Sequence, residues 1–464
     1  MADKLLIRAY NVGCGDCIYI RIPGPNAGFH ILIDCGKKGG VDLLQKAVQH
    51  LKAGLPKGKA PGKKRLDLIV ATHRHEDHIK GLDPDWFKDI EVNNIWLSVA
   101  MDPAHPQAKG VNELHAFATR AMRGLMDSGQ ALSPAVGVLA SLYGVSNDVA
   151  DKLLMKTLPA ANGIKPKYVY SGMKPEALGL KLPAGTAIHV LAPERDVDHF
   201  YLGEEADASF KSLLGFNAAI VGKKLDAAAS NGGGNAPKNI SATDFQVLQS
   251  RMLSNPLAFA AKDSSIQNNL SVVLLIEWKK RRLLFVGDAE WEGEFREGKH
   301  NGSWNVMWEK HGPTHLSKPV DFLKVGHHGS INATPPPAPV KSKNAAAGGV
   351  YEILDAILPV PPKGAKPTAQ AVVSTEREFY NPIPECKLLV DLARRVSNTR
   401  NYGKSLDQKG VAPETIWVTD KAKKNKFFET YEKDFLHEMQ VIRTDLEFVL
   451  SGADFVEVEL EPKA

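Results

Sequence analysis

Short apolar runs broken by Gly-, Pro- and Asn-rich turns dominate this chain. Leu5–Tyr10 alternates weakly and then meets the turn Asn11-Val12-Gly13-Cys14-Gly15-Asp16. Cys17–Ile22 and Phe29–Ile33 read as strands on either side of a Pro/Gly turn, Pro23–Gly28. Val41–Leu51 has a different period: Val41, Leu43, Leu44, Ala47, Val48 and Leu51 fall at helical spacing. Leu66–Ala71 is an apolar strand that runs into Thr72-His73-Arg74-His75-Glu76-Asp77-His78, with a helix expected through Ile79–Leu82. Ile95–Ser98 is a further strand.

From about Val111 to Ala161 the residues are rich in Ala, Leu, Met, Lys and Glu and predict a helical insertion. His105 and His115 lie in or beside it and read as solvated surface. Strand character returns at Lys167–Tyr170 and Thr186–Leu191. Ala227–Asn239 is low in complexity and reads as a flexible loop. Ser271–Trp278 and Arg282–Val286 predict two strong strands joined by a basic turn, and Asp321–Val325 a third. Ile331–Thr368, with Pro-rich stretches at Thr334–Val340 and Pro359–Pro367, reads as extended loop. Ala371–Ser374 is a short strand, Pro384–Val396 a helix, and Phe448–Glu461 alternates like a strand. The class expected is mixed α/β (α+β), one domain over residues 1–464 with the insertion inside it.

Composition narrows the picture. With 464 residues, 43% hydrophobic and 24% charged, the chain has the make-up of a folded globular protein. Net charge is +5, a bias that permits a polyanionic substrate without demanding one. The lysine-rich stretches Lys57–Arg65 and Lys421–Lys426 agree with that. Four cysteines, Cys14, Cys17, Cys35 and Cys386, make no disulfide framework. Cys14-x-x-Cys17 is read as packing, because no second such pair accompanies it. The start lacks a secretory signal, and no run approaches the ~18 apolar residues of a membrane span, so a cytoplasmic protein is expected.

Chemistry gathers after three strands. His73, His75, Asp77 and His78 follow Leu66–Ala71; Gly287-Asp288 follows Arg282–Val286; Gly326-His327-His328-Gly329-Ser330 follows Asp321–Val325. Imidazole nitrogens and carboxylate oxygens are good ligands for zinc and related ions. Loops at strand ends converge on one edge of α/β sheets, so the joint reading is a two-metal site.

These residues carry a resemblance. Thr72-His73-x-His75-x-Asp77-His78-x-x-Gly81-Leu82 is similar to the signature of metallo-β-lactamase-fold hydrolases. Asn11-Val12-Gly13-x-Gly15-Asp16-Cys17, Leu32-Ile33-Asp34-Cys35-Gly36, Asn268-Asn269-x-Ser271, Phe285–Glu290 and Leu323–Ser330 resemble the branch related to the soluble domain of the competence protein ComEC. The resemblance implies a four-layer αβ/βα sandwich with the metal site at one edge of two sheets. It implies that His73 and His75 hold a first ion, that Asp77, His78 and one of His327 and His328 hold a second, and that Asp288 bridges them. Zinc or manganese is expected, with iron an option. Asp16 and Asp34 would brace the ligands from behind, as would Asn268 and Asn269.

Two positions depart from the family's fuller pattern. No His lies between His199 and His300, where Gln267-Asn268-Asn269 stands, and Tyr380-Asn381-Pro382-Ile383-Pro384 lacks the His of the late-strand motif. A weaker first ion is implied. The activity expected is metal-activated attack on a phosphodiester of DNA or another nucleic acid, with Lys324 and Ser330 touching phosphate and the non-ligand His of the 327–328 pair protonating the leaving group. Two other classes stay open: a hydrolase of a non-nucleic ester, thioester or lactone, and a binding or regulatory protein with a weakened site. The insertion is expected to be dispensable for metal binding and to offer a surface to a partner protein.

Overall fold

Two sheets organise the molecule. The computed structural model of the protein describes residues 4–127, 137, 139, 142–143, 145–203, 257–337, 349–375, 383–400, 440–441 and 454–463. The seven-stranded sheet runs β16-β1-β2-β3-β5-β7-β8, where β1 is Leu5–Tyr10, β2 Cys17–Ile22, β3 Phe29–Cys35, β5 Leu68–Ala71, β7 Ile95–Ser98, β8 Lys167–Val169 and β16 Phe455–Leu460. The five-stranded sheet runs β13-β12-β11-β10-β9, from β9 Thr186–Ala192, β10 Val273–Trp278, β11 Arg281–Phe285, β12 Phe322–Val325 and β13 Gln370–Val373. Two small pairs, β4 Lys64–Leu66 with β6 Ile90–Val92 and β14 Thr399–Arg400 with β15 Gln440–Val441, complete the strands among the described residues.

The first three strands form an antiparallel meander, and β3, β5, β7 and β8 then pair in parallel. In the other sheet β11, β12 and β13 are parallel, and β10 is antiparallel to both its neighbours. Parallel strands put their C-terminal ends on one edge, which is where the loops with functional side chains leave. The sheets meet at that edge: Val272 N donates to Thr72 O at 2.9 Å, and Ser98 Oγ donates to Leu270 O at 2.7 Å.

Burial explains the layering. Inward side chains such as Ile7, Ile20, Ile31 and Val70 from one sheet and Ile188, Ile276, Phe285 and Phe322 from the other share one apolar core. The outer face of the five-stranded sheet is covered by the helices α6 Ser303–His311, α7 Ile353–Ile357 and α8 Cys386–Ala393. The outer face of the seven-stranded sheet is covered by α1 Asp42–Gly54, whose Leu44, Ala47, Val48 and Leu51 point inward, and by α4 Val145–Lys152 with the turns that extend it to Ala161. The remaining helices are α2 Glu76–Ile79, α3 Lys109–Asp127 and α5 over residues 257–269. None of the helices among the described residues is long and apolar enough to cross a membrane.

Several sequence expectations change. The helix near the His cluster starts earlier and is shorter than the pattern suggests: α2 ends at Ile79, because Gly81 N bonds back to Cys35 O at 2.7 Å and packs flat on Cys35. Leu66–Ala71 is two strands, with Asp67 between them accepting from His30 N. Ile331–Thr368 is not a loop throughout, since Ile353, Leu354 and Ile357 are fully buried core residues. Ala227–Asn239, Asn381 and Lys421–Lys426 lie outside the described residues.

The helical segment is more than an appendage. Ala150, Leu154 and Leu158 fill the outer core with Ile69 and Leu97. Its first half is tied to α5 by a buried polar network: His115 Nδ1 lies 2.7 Å from Asp263 Oδ2, Tyr143 OH donates to the same oxygen at 2.9 Å, and Gln267 Nε2 donates to Oδ1 at 3.0 Å. His115 therefore has a partner and is not simply solvated. Burial disfavours the Asp263 charge, but His115, Gln267 and Tyr143 outweigh it and hold the carboxyl below its ordinary range.

Two outcomes follow from this packing. Leu154→Ala removes a fully buried side chain and is expected to cost about 2–5 kcal/mol in denaturant unfolding, against nearly nothing for a truly detachable insertion. Asp263 has a depressed folded pKa, so its stabilisation is complete above the unfolded value of about 3.9 and fades as pH falls through it. The stability gap between the parent and Asp263→Asn should therefore be wide at neutral pH and narrow below about pH 4, as read from urea midpoints across that range.

Candidate metal centre

The loops after β3, β5, β11 and β12 meet in one buried knot. The chain bends at His73 and Arg74 after β5, His75 is extended, and α2 begins at Glu76, so Asp77 and His78 sit on its first turn. That geometry sends the two side chains apart. His78 Nε2 faces Asp288 Oδ1 at 3.2 Å, whereas Asp77 Oδ2 faces His328 Nε2 at 3.2 Å. Backbone approach is close: a Cβ on Gly36 would lie 2.2 Å from the Asp77 carbonyl carbon and the His78 nitrogen, so only glycine fits beneath α2.

Besides Asp16, Asp34 and His78, whose ligand-type atoms also cluster, two groups result among the described residues. One atom each of His73, His78 and Asp288 lie within 4.8 Å of one another, and so do atoms of Asp77, His328 and Cys14. All six residues are buried. Either group could hold a metal ion. One buried atom within them, Asp77 Oδ1, has no hydrogen-bond partner, and His78 Nε2 has only Asp288 Oδ1, 3.2 Å away and outside hydrogen-bond geometry. A buried polar atom left without a partner costs free energy, and cation coordination offsets that cost.

The groups differ from the sets the resemblance implies. His75 joins neither; its Nδ1 lies 3.0 Å from His73 Nε2, at the edge of the cavity. His78 belongs with His73, not with Asp77, because the start of α2 at Glu76 rotates it toward Asp288. Within the His pair, His328 is the buried partner of Asp77, and its Nδ1 bonds Ser374 O at 2.9 Å. His327 is partly exposed, with Nδ1 2.9 Å from Glu290 Oε1. Both residues adopt positive φ, 39° and 52°, a conformation that bulky side chains rarely take and that clusters at functional sites.

The protonation states of His73, His75, Asp77 and Asp288 suit cation binding, whereas that of His78 opposes it. Burial, with His78 and His75 nearby, holds His73 well below the ordinary imidazole range, and burial pushes His75 down to about 4. Both rings are neutral at pH 7, as ligation requires. Burial disfavours charge on Asp77 and Asp288, yet Lys38 and His328 around the first, and His78 and His327 around the second, hold both carboxyls well below their usual range. His78 lies between Asp34 and Asp288, and these carboxylates overcome burial to raise its proton affinity well above normal.

Asp34 fixes this arrangement from the end of β3. It accepts from Thr72 N at 2.7 Å and Thr72 Oγ1 at 2.8 Å, and its Oδ2 lies 2.8 Å from His78 Nδ1. Thr72 Oγ1 and Ser271 Oγ reach His73 Nδ1 at 3.1 and 3.3 Å, and Ser271 Oγ also accepts from Asp288 N. Asn269 is a backbone clip whose Oδ1 accepts from Glu290 N and Ser303 N, while Asn268 Nδ2 donates to Glu290 Oε1. Asp16 lies behind the ligands, its N donating to Asp77 O at 3.0 Å and its carboxylate within 4.8 Å of Asp34 and His78 atoms, whereas Lys324 does not take the expected place. Lys324 Nζ is buried on Asp16 Oδ2 at 2.9 Å and is not among the cavity-lining residues, so it holds the β1–β2 turn and touches no substrate. Ser330 does line the cavity, 3.0 Å from His327 Nδ1 and donating to Asn332.

The cavity, about 410 Å³, opens over Asp77, Asp288, His327 and His328. Sequence reasoning missed two of its lining residues. Lys38 forms a buried ion pair with Asp77 at 3.0 Å, and nothing in Gly36-Lys37-Lys38-Gly39 distinguishes it from Lys37. Glu290 was legible only as the residue two places after Asp288. Cys14 was read as packing. The apolar wall of Leu139, Leu142 and Ala261 comes from the helical segment and α5, so the segment borders the site. No family model matches the chain, and no curated protein does.

Asp34→Asn tests the brace. Asn tolerates the left-handed backbone at this position, φ 54°, so the fold is spared that strain. Losing the charge leaves His78 Nδ1 and Thr72 poorly satisfied inside the protein, and the expected cost is about 1–3 kcal/mol in unfolding free energy. An unchanged denaturation midpoint would remove Asp34 from this role.

Proposed function

We propose that the chain is a metal-dependent hydrolase of the metallo-β-lactamase fold, acting as a phosphodiesterase on DNA or another nucleic acid. The observation that carries this reading is the convergence of His73, His78 and Asp288 beside Asp77 and His328, buried, with Asp77 Oδ1 unpartnered, at the floor of a cavity. Two facing sheets with helices on both outer faces are what a four-layer αβ/βα sandwich requires. Asp288 Oδ1 faces His78 Nε2 and accepts from His327 N, and its Oδ2 lies 3.9 Å from His73 Nε2, so this carboxylate would help His73 and His78 hold an ion. The donor set of imidazole and carboxylate fits zinc, manganese or iron.

When bound there, a divalent ion supplies Lewis acidity, activating water and neutralising charge on a phosphoryl oxygen. The chain's own residues do the rest. Asp34, Thr72 and Ser271 fix the ring orientations of His78 and His73. Lys38 keeps Asp77 ionised. Glu290 and Asp288 overcome burial and raise the proton affinity of His327, which lines the cavity and is placed to protonate a leaving alkoxide. Ser330 and Asn268 offer hydrogen bonds beside it.

One observation favours a second reading. Leu139, Leu142, Ala261 and Ile383 give the cavity an apolar wall, and Lys38 is the one lysine or arginine among its lining residues. That lining suits an ester, thioester or lactone with an apolar portion, so substrate class is decided by assay.

The assay uses protein stripped of metal and reloaded with zinc or manganese, on single- and double-stranded DNA and on a p-nitrophenyl phosphodiester. Asp288→Asn should lower turnover by about 100-fold or more on every substrate. His327→Gln should lower it by about 10²–10⁴-fold on DNA, but little on the p-nitrophenyl ester, whose leaving group needs no proton. Equal losses on both substrates would remove His327 as the acid. A parent that cleaves thioesters or lactones but no phosphodiester would replace the first reading with the second.

A further inference from the structure

We propose that Cys14 is a ligand, so that the Asp77 side of the centre is a cysteine–aspartate–histidine site selective for a thiophilic ion such as zinc. This deepens the metal reading above and rests on it. The first observation is placement. The Cys14 sulfur, a carboxylate oxygen of Asp77 and a ring nitrogen of His328 lie within 4.8 Å of one another, and all three residues are buried. The second is independent of the cysteine: Asp77, 2% exposed, has its Oδ1 buried without a hydrogen-bond partner although Oδ2 is paired to Lys38 and His328.

The turn that carries Cys14 is anchored to this spot. Asp16 N donates to Asp77 O at 3.0 Å, and Lys38 N donates to Cys14 O at 2.9 Å. Gly15 packs so tightly on the next loop that a Cβ would lie 2.2 Å from Gly36 O. Lys324 grips Asp16 from below. The sulfur is therefore held by the backbone at a fixed place beside Asp77, which is the preorganisation a ligand needs.

Two other roles for Cys14 fit less well. As a nucleophile it would have to reach substrate, but it is fully buried and is not among the cavity-lining residues, whereas Asp77 and His328 are. As half of a thiol pair it would need a neighbouring sulfur, but Cys17 faces Cys35 at 3.8 Å, and neither of those belongs to a ligand group among the described residues. Thiolate is a soft donor that favours zinc, cobalt and iron over magnesium and manganese. The two halves of the centre then differ in chemistry, His73–His78–Asp288 having nitrogen and oxygen donors alone.

Cobalt reports sulfur ligation directly. Stripped full-length protein is titrated with cobalt(II), and a strong thiolate-to-cobalt charge-transfer band is expected in the near ultraviolet. Cys14→Ser and Cys14→Ala should abolish that band while the visible bands of cobalt at the nitrogen–oxygen half persist. Zinc affinity at the Asp77 half should fall by more than the roughly 10–100-fold that losing an outer hydrogen-bond partner costs, with manganese affinity little changed. If neither variant folds, X-ray absorption of the zinc-loaded parent decides: one sulfur at about 2.3 Å supports the assignment, and only nitrogen and oxygen near about 2.0–2.2 Å overturns it. Bound cobalt with no charge-transfer band, or with a band that survives in Cys14→Ser, removes Cys14 and leaves the metal reading standing. A parent that binds no cobalt or zinc overturns both.

Discussion

The buried carboxylate of Asp34 is the constraint on which the centre depends. It ends β3, takes hydrogen bonds from the backbone and hydroxyl of Thr72, and lies against His78 Nδ1. One side chain thus joins the ends of two neighbouring parallel strands to the first turn of α2. Burial raises its pKa, so keeping it charged requires those partners, and the partners in turn are aligned by its charge. His78 then points at Asp288, Thr72 passes its hydroxyl to His73, and the two sheets are clasped where Thr72 O meets Val272 N.

Charge is balanced locally around that brace. Asp77 is matched by Lys38, Asp16 by Lys324, and Asp34 and Asp288 share His78. Buried ions without partners are costly, and each carboxylate here has a cationic neighbour within about a hydrogen bond's length. The consequence is a floor of fixed charge in which each carboxylate is already held by an opposite charge.

Much of this was legible in the sequence, and the limits have physical causes. The strands and their order along the chain follow from apolar runs and turns, and β7 falls on Ile95–Ser98 as its pattern predicts. Residues of the centre announce themselves because His and Asp after an apolar strand have little other use. How they divide is not legible, since it depends on α2 starting at Glu76, one residue before Asp77. Lys38 was missed because its role comes from a contact between distant turns. Lys324 was misplaced for the opposite reason: a lysine beside a His pair looks like a phosphate contact, but strand alternation buries it against Asp16. The helical segment looked detachable because it carries no ligand, yet its apolar face closes one outer core.

The pairing of β1 with β16 has a bearing on how the protein is made. Leu5 lies opposite Leu460, and Asn11 N bonds Asp454 O, so β1, already paired with β2 on one side, finds its second neighbour hundreds of residues later in the sequence. During synthesis β1 keeps one edge open until β16 has followed it out of the ribosome. The turn carrying Cys14 and Asp16 hangs from the same strand. A chain released after β2 but before β16 would therefore carry that turn on a strand with one bare edge.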